Sequence, residues 1–287
     1  MAAGSSLLCL GYGYSAAALA RRLMPEGWTV IGTARRRDDL AAIAAAGAIA
    51  VPFDEAEEAA RNVTHVLASA PPDMAGDPIL RALGPALQQG GLKWLAYLST
   101  TGVYGDHAGG WVDETTPCAP ISQEGQRRRQ AEDLWLASGL PVHIFRLPGI
   151  YGPGRSAFDR LSEGSARRIV KPGQVFSRIH VEDIARALAC SIARPNPPRI
   201  YNIADDEPAP PQDPIAFAAA LAGLPIPPEI PFEQADLSPM AQRFYAESKR
   251  VSNARAKAEL GWSPTFPSYR EGLAAIWAAR QETAGRH

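Results

Sequence analysis

The sequence predicts an α/β fold built on a doubly wound parallel sheet with a small, irregular C-terminal substrate lobe, and three features carry that prediction. A short apolar run, Ser6-Leu-Leu-Cys-Leu10, passes through Gly11-x-Gly13-x-x-Ala16 into an alanine-rich segment that ends near Pro25. Brief apolar stretches then alternate with helix-compatible segments as far as Ala204, the pattern of repeated βαβ units. From Asp205 onward prolines crowd the chain and block any long continuation of that alternation.

Strand, glycine turn and helix in this order form the Rossmann-type fingerprint for a dinucleotide. Gly11 makes the tight turn, Gly13 lets backbone approach a pyrophosphate, and small Ala16 lets the helix pack close to the strand. The helix, opened by Tyr14 and Ser15, turns its free N–H groups and positive dipole end toward the phosphates. The same spacing also opens helices that bind nothing, so the segments that follow have to agree with it.

Trp28–Thr33 reads as the second strand and runs into Ala34-Arg35-Arg36-Arg37. An acid here would hold an adenosine ribose 2′-hydroxyl, whereas arginine suits a 2′-phosphate. From the start of the second strand at Trp28 no acid occurs before Asp38, so the sequence favours NADP over NAD, with Arg35 first and Arg36 second as phosphate ligands. The plainer reading of three arginines is a solvated loop. A helix over 39–46 ends at Gly47, and Ala48–Val51 forms the third strand. It leads to Asp54, which either reaches the adenine amine or caps the acidic segment beyond it. Val63–Ala70 is the fourth strand, where small Ala70 lets a cofactor lie against backbone and His65 reads as a packed core residue.

Leu92–Leu98, the fifth strand, runs into Ser99-Thr-Thr-Gly-Val-Tyr-Gly105, followed by Asp113-Glu114-x-x-Pro117. Phe145-Arg-Leu-Pro-Gly-Ile-Tyr-Gly-Pro-Gly154, Ile179-His-Val-Glu-Asp-Ile-Ala185, Tyr201-Asn-Ile-Ala204 and Ser252–Trp262 come after it in order. Together these motifs resemble the extended short-chain dehydrogenase/reductases of the NAD-dependent epimerase/dehydratase superfamily, and the resemblance covers nearly the whole chain. It implies a cofactor-binding core, a catalytic hydroxyl at Thr100, and backbone beside the nicotinamide at Pro148 and Gly149. It also implies a structural role for His180, which resembles a residue that helps to place the substrate loop.

The departure from the pattern bears on chemistry. Such enzymes carry Tyr-x-x-x-Lys on the helix after the fifth strand, the lysine lowering the tyrosine pKa so that it can pass a proton. Aligning Glu132 with the glutamate four residues past that lysine puts Glu124 in the tyrosine position and Arg128 in the lysine position. No tyrosine lies between Tyr104 and Tyr151, and no lysine between Lys93 and Lys171. The resemblance therefore narrows to atypical members that lack Tyr-x-x-x-Lys. Arg128 can hold ribose hydroxyls but is too basic to relay protons. Glu124 serves as an acid only if burial raises its pKa toward neutrality. Tyr104, the nearest phenol in sequence, is the expected donor with Thr100 as its partner, and the competing reading makes it a packing residue.

Basic residues at 155, 160, 167, 168, 171 and 178 either receive an anionic substrate or form a solvated face. The expected division is a dinucleotide-binding core over 1–155, with 178–204 returning to it, and a lobe drawn mainly from 156–177 and 205–287. A formal net charge of -1 with interspersed signs argues against nucleic acid as a partner. No apolar run approaches the roughly 20 residues of a membrane span, and the three cysteines lack metal-ligand spacing. We expect a cytoplasmic protein without a metal, acting on a carbonyl or alcohol of a small metabolite, with assembly into a homo-oligomer left open. The alternative from another class is an NADP-binding sensor or regulator without turnover.

Overall fold

The computed structural model describes residues 5–284. Seven strands, β1 (Ser6–Leu10), β2 (Thr29–Ala34), β3 (Ile49–Pro52), β4 (His65–Ala68), β5 (Trp94–Thr100), β6 (Val142–Leu147) and β7 (Arg199–Asn202), form one sheet. Every neighbouring pair is parallel, in the order β3-β2-β1-β4-β5-β6-β7. The order reverses between β1 and β4, which opens a crevice at the carboxyl ends of the strands, where ligands of such sheets bind. β4 is shorter than the apolar run 63–70 because Ser69 and Ala70 turn off the strand, both donating their N–H to the Leu10 carbonyl (3.0 and 3.3 Å).

Helices α1 (Tyr14–Leu23), α2 (Arg37–Ala45), α3 (Glu57–Asn62), α4 (Pro78–Gln89), α5 (Gln123–Ala137), α6 (Ala157–Ser162), α7 (Val181–Ala193), α8 (Asp213–Leu221), α9 (Pro239–Tyr245), α10 (Ala254–Leu260) and α11 (Tyr269–Ala284) complete the chain. Two-residue alternation sorts the strands between two cores. Leu7 and Cys9 share a cluster with Leu19 of α1 and Leu188 of α7, whereas Leu8 and Leu10 meet Leu83 and Leu87 of α4 and Trp135 of α5. Strands buried on both faces need continuous apolar runs, which is what β1 and β5 supply.

The C-terminal residues do not stay together. α8 and α11 pack with Phe158 of α6 in a third cluster, while Ala256, Leu260 and Trp262 join α1 and α7 in the main core. Within the stretch 205–287, expected mainly in the lobe, α10 returns to the sheet, where its apolar face packs on α7. Within the proline-rich stretch one helix forms, and Glu229–Pro231 pairs with Arg168–Val170. Among the described residues no helix is long and apolar enough to cross a membrane.

Candidate active site

The glycine turn after β1 is clamped from both sides. Gly11 sits at φ +91°, and a Cβ there would stand 3.0 Å from the Ala70 nitrogen. Its N–H donates to Thr33 Oγ1 (3.1 Å), that hydroxyl donates to the Cys9 carbonyl (3.2 Å), and the Gly11 carbonyl accepts from Ser69 Oγ. Gly13 differs in kind. Its φ of -97° suits any residue, a Cβ would meet nothing within 4 Å, and it caps α1 without a side-chain hydrogen bond. Open space therefore lies against the uncapped first turn of α1, the cradle that a pyrophosphate requires. Ser15 is buried in that turn, and Tyr14 crosses to the 149–155 segment, its hydroxyl donating to the Pro153 carbonyl (2.9 Å).

At the end of β2 the Arg35 guanidinium lies 5.5 Å from the Phe53 ring centroid, and Arg36 Nε lies 3.6 Å from Asp39 Oδ2 with most of its side chain in water. Both cations remain exposed at the edge of the crevice. Asp54 is exposed in the turn after β3 and makes no cap hydrogen bond, which removes the capping alternative. Ala70 stands beside Gly11 on the other side of the crevice.

Thr100 ends β5, and its Oγ1 accepts the Gly102 N–H (3.1 Å), which leaves the hydroxyl proton free to donate. It opens onto a cleft of about 400 Å³ lined also by Pro148, Glu124, Glu247 and Lys249. α5 approaches the Thr100 loop so closely that a Cβ on Gly125 would lie 2.8 Å from the Gly102 carbonyl.

Tyr104 is not at this cleft, which corrects its assignment as proton donor. The side chain is fully buried, its hydroxyl donates to Asn202 Oδ1 (2.9 Å), and it accepts from Arg146 Nη1 (2.9 Å). Arg146 in turn grips buried Glu132 through two hydrogen bonds of 3.0 and 2.7 Å, and Ser99 Oγ donates to the same carboxylate. Burial pushes the Tyr104 phenol up to about 12, only partly opposed by Arg146. Thr100 is not its partner. Tyr151 is no substitute, because its hydroxyl donates to the Ser268 carbonyl (3.3 Å) and burial raises its pKa strongly.

Glu124 does line the cleft, but 57% of its side chain is exposed and two cations flank it, Arg243 at 3.6 Å and Arg127 at 4.0 Å. The burial that an acid role required is absent, so that role is withdrawn. Arg128 reaches back to β5, where Nη1 donates to the Leu98 carbonyl (2.8 Å) and to Tyr97 Oη (3.2 Å). Its remaining N–H groups have no acceptor among the described residues.

A second cavity of about 660 Å³ adjoins this cleft, sharing Gly149, Phe176, Ser177 and Phe244 with it. It gathers Arg155, Arg160, Arg167 and Arg178 from the basic segment, with Tyr245 and Tyr269 among its walls. The guanidinium groups of Arg155 and Arg160 have no hydrogen-bond or ion-pair partner among the described residues. Arg178 is spent on the carbonyls of Phe176, Ala209 and Pro210, Arg168 pairs with Glu229, and Lys171 donates to the Tyr245 carbonyl. His180 Nδ1 accepts the Glu182 N–H (3.2 Å) and caps α7, a structural task. No group of three metal-binding side chains occurs among the described residues.

The model of the NAD dependent epimerase/dehydratase family matches residues 79–204, the stretch that carries β5, Thr100, α5 and β6. Over that stretch the chain carries the signature of the NAD-dependent epimerase/dehydratase family. The proteins that the chain resembles differ in how much they say. A solved structure described as a functionally unknown conserved protein from Silicibacter pomeroyi DSS is 52% identical, covers 96% of this chain and 99% of its own, and superposes with a TM-score of 0.88. Protein YeeZ of Escherichia coli strain K12 is 37% identical over 111 residues, 38% of this chain and 39% of its own length. The 3-diazoavenalumate denitrifying reductase of a Streptomyces species is 29% identical over 157 residues, half of each chain. The chain thus matches half or less of the length of these curated relatives.

Sequence reading missed Thr33, Ser69, Glu247 and Lys249. The first two are ordinary strand-end hydroxyls whose value lies in their distance to Gly11. The last two lie just ahead of Ser252–Trp262 but outside every recognised motif, and only folding brings them to Thr100.

Proposed function

We propose that this protein is an atypical family member that binds NADP and reduces a carbonyl, or oxidises an alcohol, of a small anionic metabolite. The observation that carries the reading is the open space in front of Gly13, at the uncapped start of α1 and at the reversal of strand order. Gly11, Gly13, Tyr14 and Ser15 would hold the pyrophosphate, Arg35 and Arg36 a 2′-phosphate, Asp54 and Ala70 the adenine side, and Pro148 and Arg128 the nicotinamide side. When bound, the cofactor supplies or accepts a hydride at the substrate carbon. Thr100, whose Oγ1 accepts from Gly102 N–H, orients the substrate oxygen by hydrogen-bonding to it. Arg155 and Arg160, without protein partners, supply the anion site. In this reading the core is 1–155 with 178–204, and the lobe comes mainly from 156–177 and 205–287.

Titration of the purified protein with NADPH and NADH, followed by NADPH oxidation against carbonyl compounds with and without a carboxylate or phosphate, tests it. NADPH should bind more tightly, and charged carbonyls should react faster than neutral ones. Binding of neither cofactor refutes the reading. Cofactor binding without turnover of any compound favours a sensor.

A further inference from the structure

We propose that Lys249, held by Glu247, is the proton donor of the Thr100 cleft and does the work of the missing tyrosine–lysine couple. The assignment rests on the reductase reading above.

Lys249 and Glu247 line the same cleft as Thr100 and Pro148. Lys249 is 8% exposed, which is rare for lysine, and its Nζ donates to the Gly105 carbonyl (2.7 Å) and to Glu247 Oε2 (2.5 Å). An ammonium has three donors. Two go to protein, and the third has no acceptor among the described residues. Gly105 closes the loop that Thr100 opens, so a short length of backbone ties Nζ to the Thr100 hydroxyl.

The segment carrying this pair is held rigidly. Ser248 N–H donates to Asp106 Oδ1 (2.8 Å), its carbonyl accepts from His107 and Gly109, and its Oγ accepts from Val175 N–H (3.1 Å). Gln174 Nε2 donates to the Glu247 carbonyl (2.6 Å), and Arg250 N–H donates to the Gly110 carbonyl (2.8 Å). Such support is what a reacting group needs in order to keep its geometry. The alternatives in the cleft fail on chemistry: Glu124 is exposed, Ser122 Oγ is engaged in capping α5, and the guanidinium of Arg243 does not give up its proton.

The step balances. As the carbonyl carbon gains hydride, its C–O π pair becomes a lone pair on oxygen, oriented by Thr100. That oxygen forms an O–H bond with a proton from Lys249 Nζ, whose N–H bond breaks and leaves a neutral amine on the Gly105 carbonyl. The amine recovers a proton from solvent along Glu247, whose side chain keeps 14% of its surface in water.

The test uses the full chain with NADPH and 9,10-phenanthrenequinone, a generic carbonyl acceptor. Lys249→Met should keep NADPH affinity and lower the rate of quinone reduction by about 10²–10⁴. The double variant Lys249→Met/Glu247→Gln removes the stranded carboxylate and should fold like the wild type while staying as slow. A second readout is independent of turnover. Lys93, Lys171, Lys249 and Lys257 are the only lysines, so ¹⁵N spectra of the ammonium groups resolve them, and saturation with NADPH should shift Lys249 and leave Lys93 unmoved. Wild-type rates in Lys249→Met, loss of NADPH affinity alongside the rate, an unreduced quinone in NADPH-loaded wild type, or an unshifted Lys249 signal each overturn the assignment. Failure of the wild type to bind either nicotinamide cofactor instead overturns the reductase reading beneath it.

Discussion

Substituting the two glycines of the turn after β1 one at a time separates a folding role from a binding role. At Gly13 the backbone angles already suit an L-residue and a Cβ meets no atom within 4 Å. Gly13→Ala loses about 0.5 kcal/mol of helix-capping preference and gains about 0.4–1 kcal/mol from a stiffer unfolded chain. The two nearly cancel, so the melting temperature should move by no more than about 3 °C. Gly13→Val should likewise fold. At Gly11 the φ of +91° costs an L-residue about 1–2 kcal/mol, and a Cβ 3.0 Å from the Ala70 nitrogen adds to that. Gly11→Ala should therefore melt several degrees lower. Cofactor binding should rank the other way for Gly13. Its new side chain occupies the space in front of α1, and a loss of about 100-fold or more, about 2.7 kcal/mol, is expected for NADPH. Thermal denaturation by circular dichroism and calorimetric titration on the same samples decide the matter. Wild-type NADPH affinity in Gly13→Val would show that the phosphates lie elsewhere, and a Gly13→Ala protein as unstable as Gly11→Ala would show that the turn is misread.

Arg35→Ala should weaken NADPH by about 1.5–3 kcal/mol through loss of a charge-assisted contact and leave NADH unchanged; equal affinities in the wild type refute the 2′-phosphate assignment. Glu132→Gln leaves buried Arg146 without its counter-charge and should cost about 3–5 kcal/mol in urea denaturation, an outcome that a solvated ion pair would not produce. Tyr104→Phe should cost about 1–3 kcal/mol of stability, because Arg146 and Asn202 lose a buried partner, with cofactor affinity and turnover unchanged; a collapse of turnover at normal stability restores Tyr104 as the acid. Burial holds the His143 imidazole down at about 4 from an ordinary 6.5. The unfolded chain thus binds the extra proton first, so this contribution is intact above pH 6.5 and is lost as pH falls toward 4, amounting to roughly 3 kcal/mol at the lower end. His143→Gln should flatten that part of the stability profile, and an unchanged acid slope refutes the assignment.

The sequence by itself determined the sheet and the glycine turn after β1, because both depend on local rules. Apolar runs such as Leu7–Leu10 and Trp94–Leu98 can only be strands buried on both faces, and Gly11-x-Gly13-x-x-Ala16 between strand and helix specifies its own backbone. The absence of tyrosine and lysine from α5 was equally visible, since it needs only a reading of which residues are present. What replaces them was decided by tertiary structure alone. Tyr104 is close to Thr100 along the chain, yet Arg146 and Asn202, the latter 98 residues away, take its hydroxyl into the interior. Lys249 lies 144 residues beyond Gly105 and still donates to its carbonyl. Side-chain pairing across such distances follows from how helices and loops pack at the sheet's carboxyl edge, which no periodicity encodes. The same limit governed the arginines. Their sequence spacing grouped six cations, and only the packing around the 660 Å³ cavity left Arg155 and Arg160 without partners while Arg168, Lys171 and Arg178 were committed elsewhere.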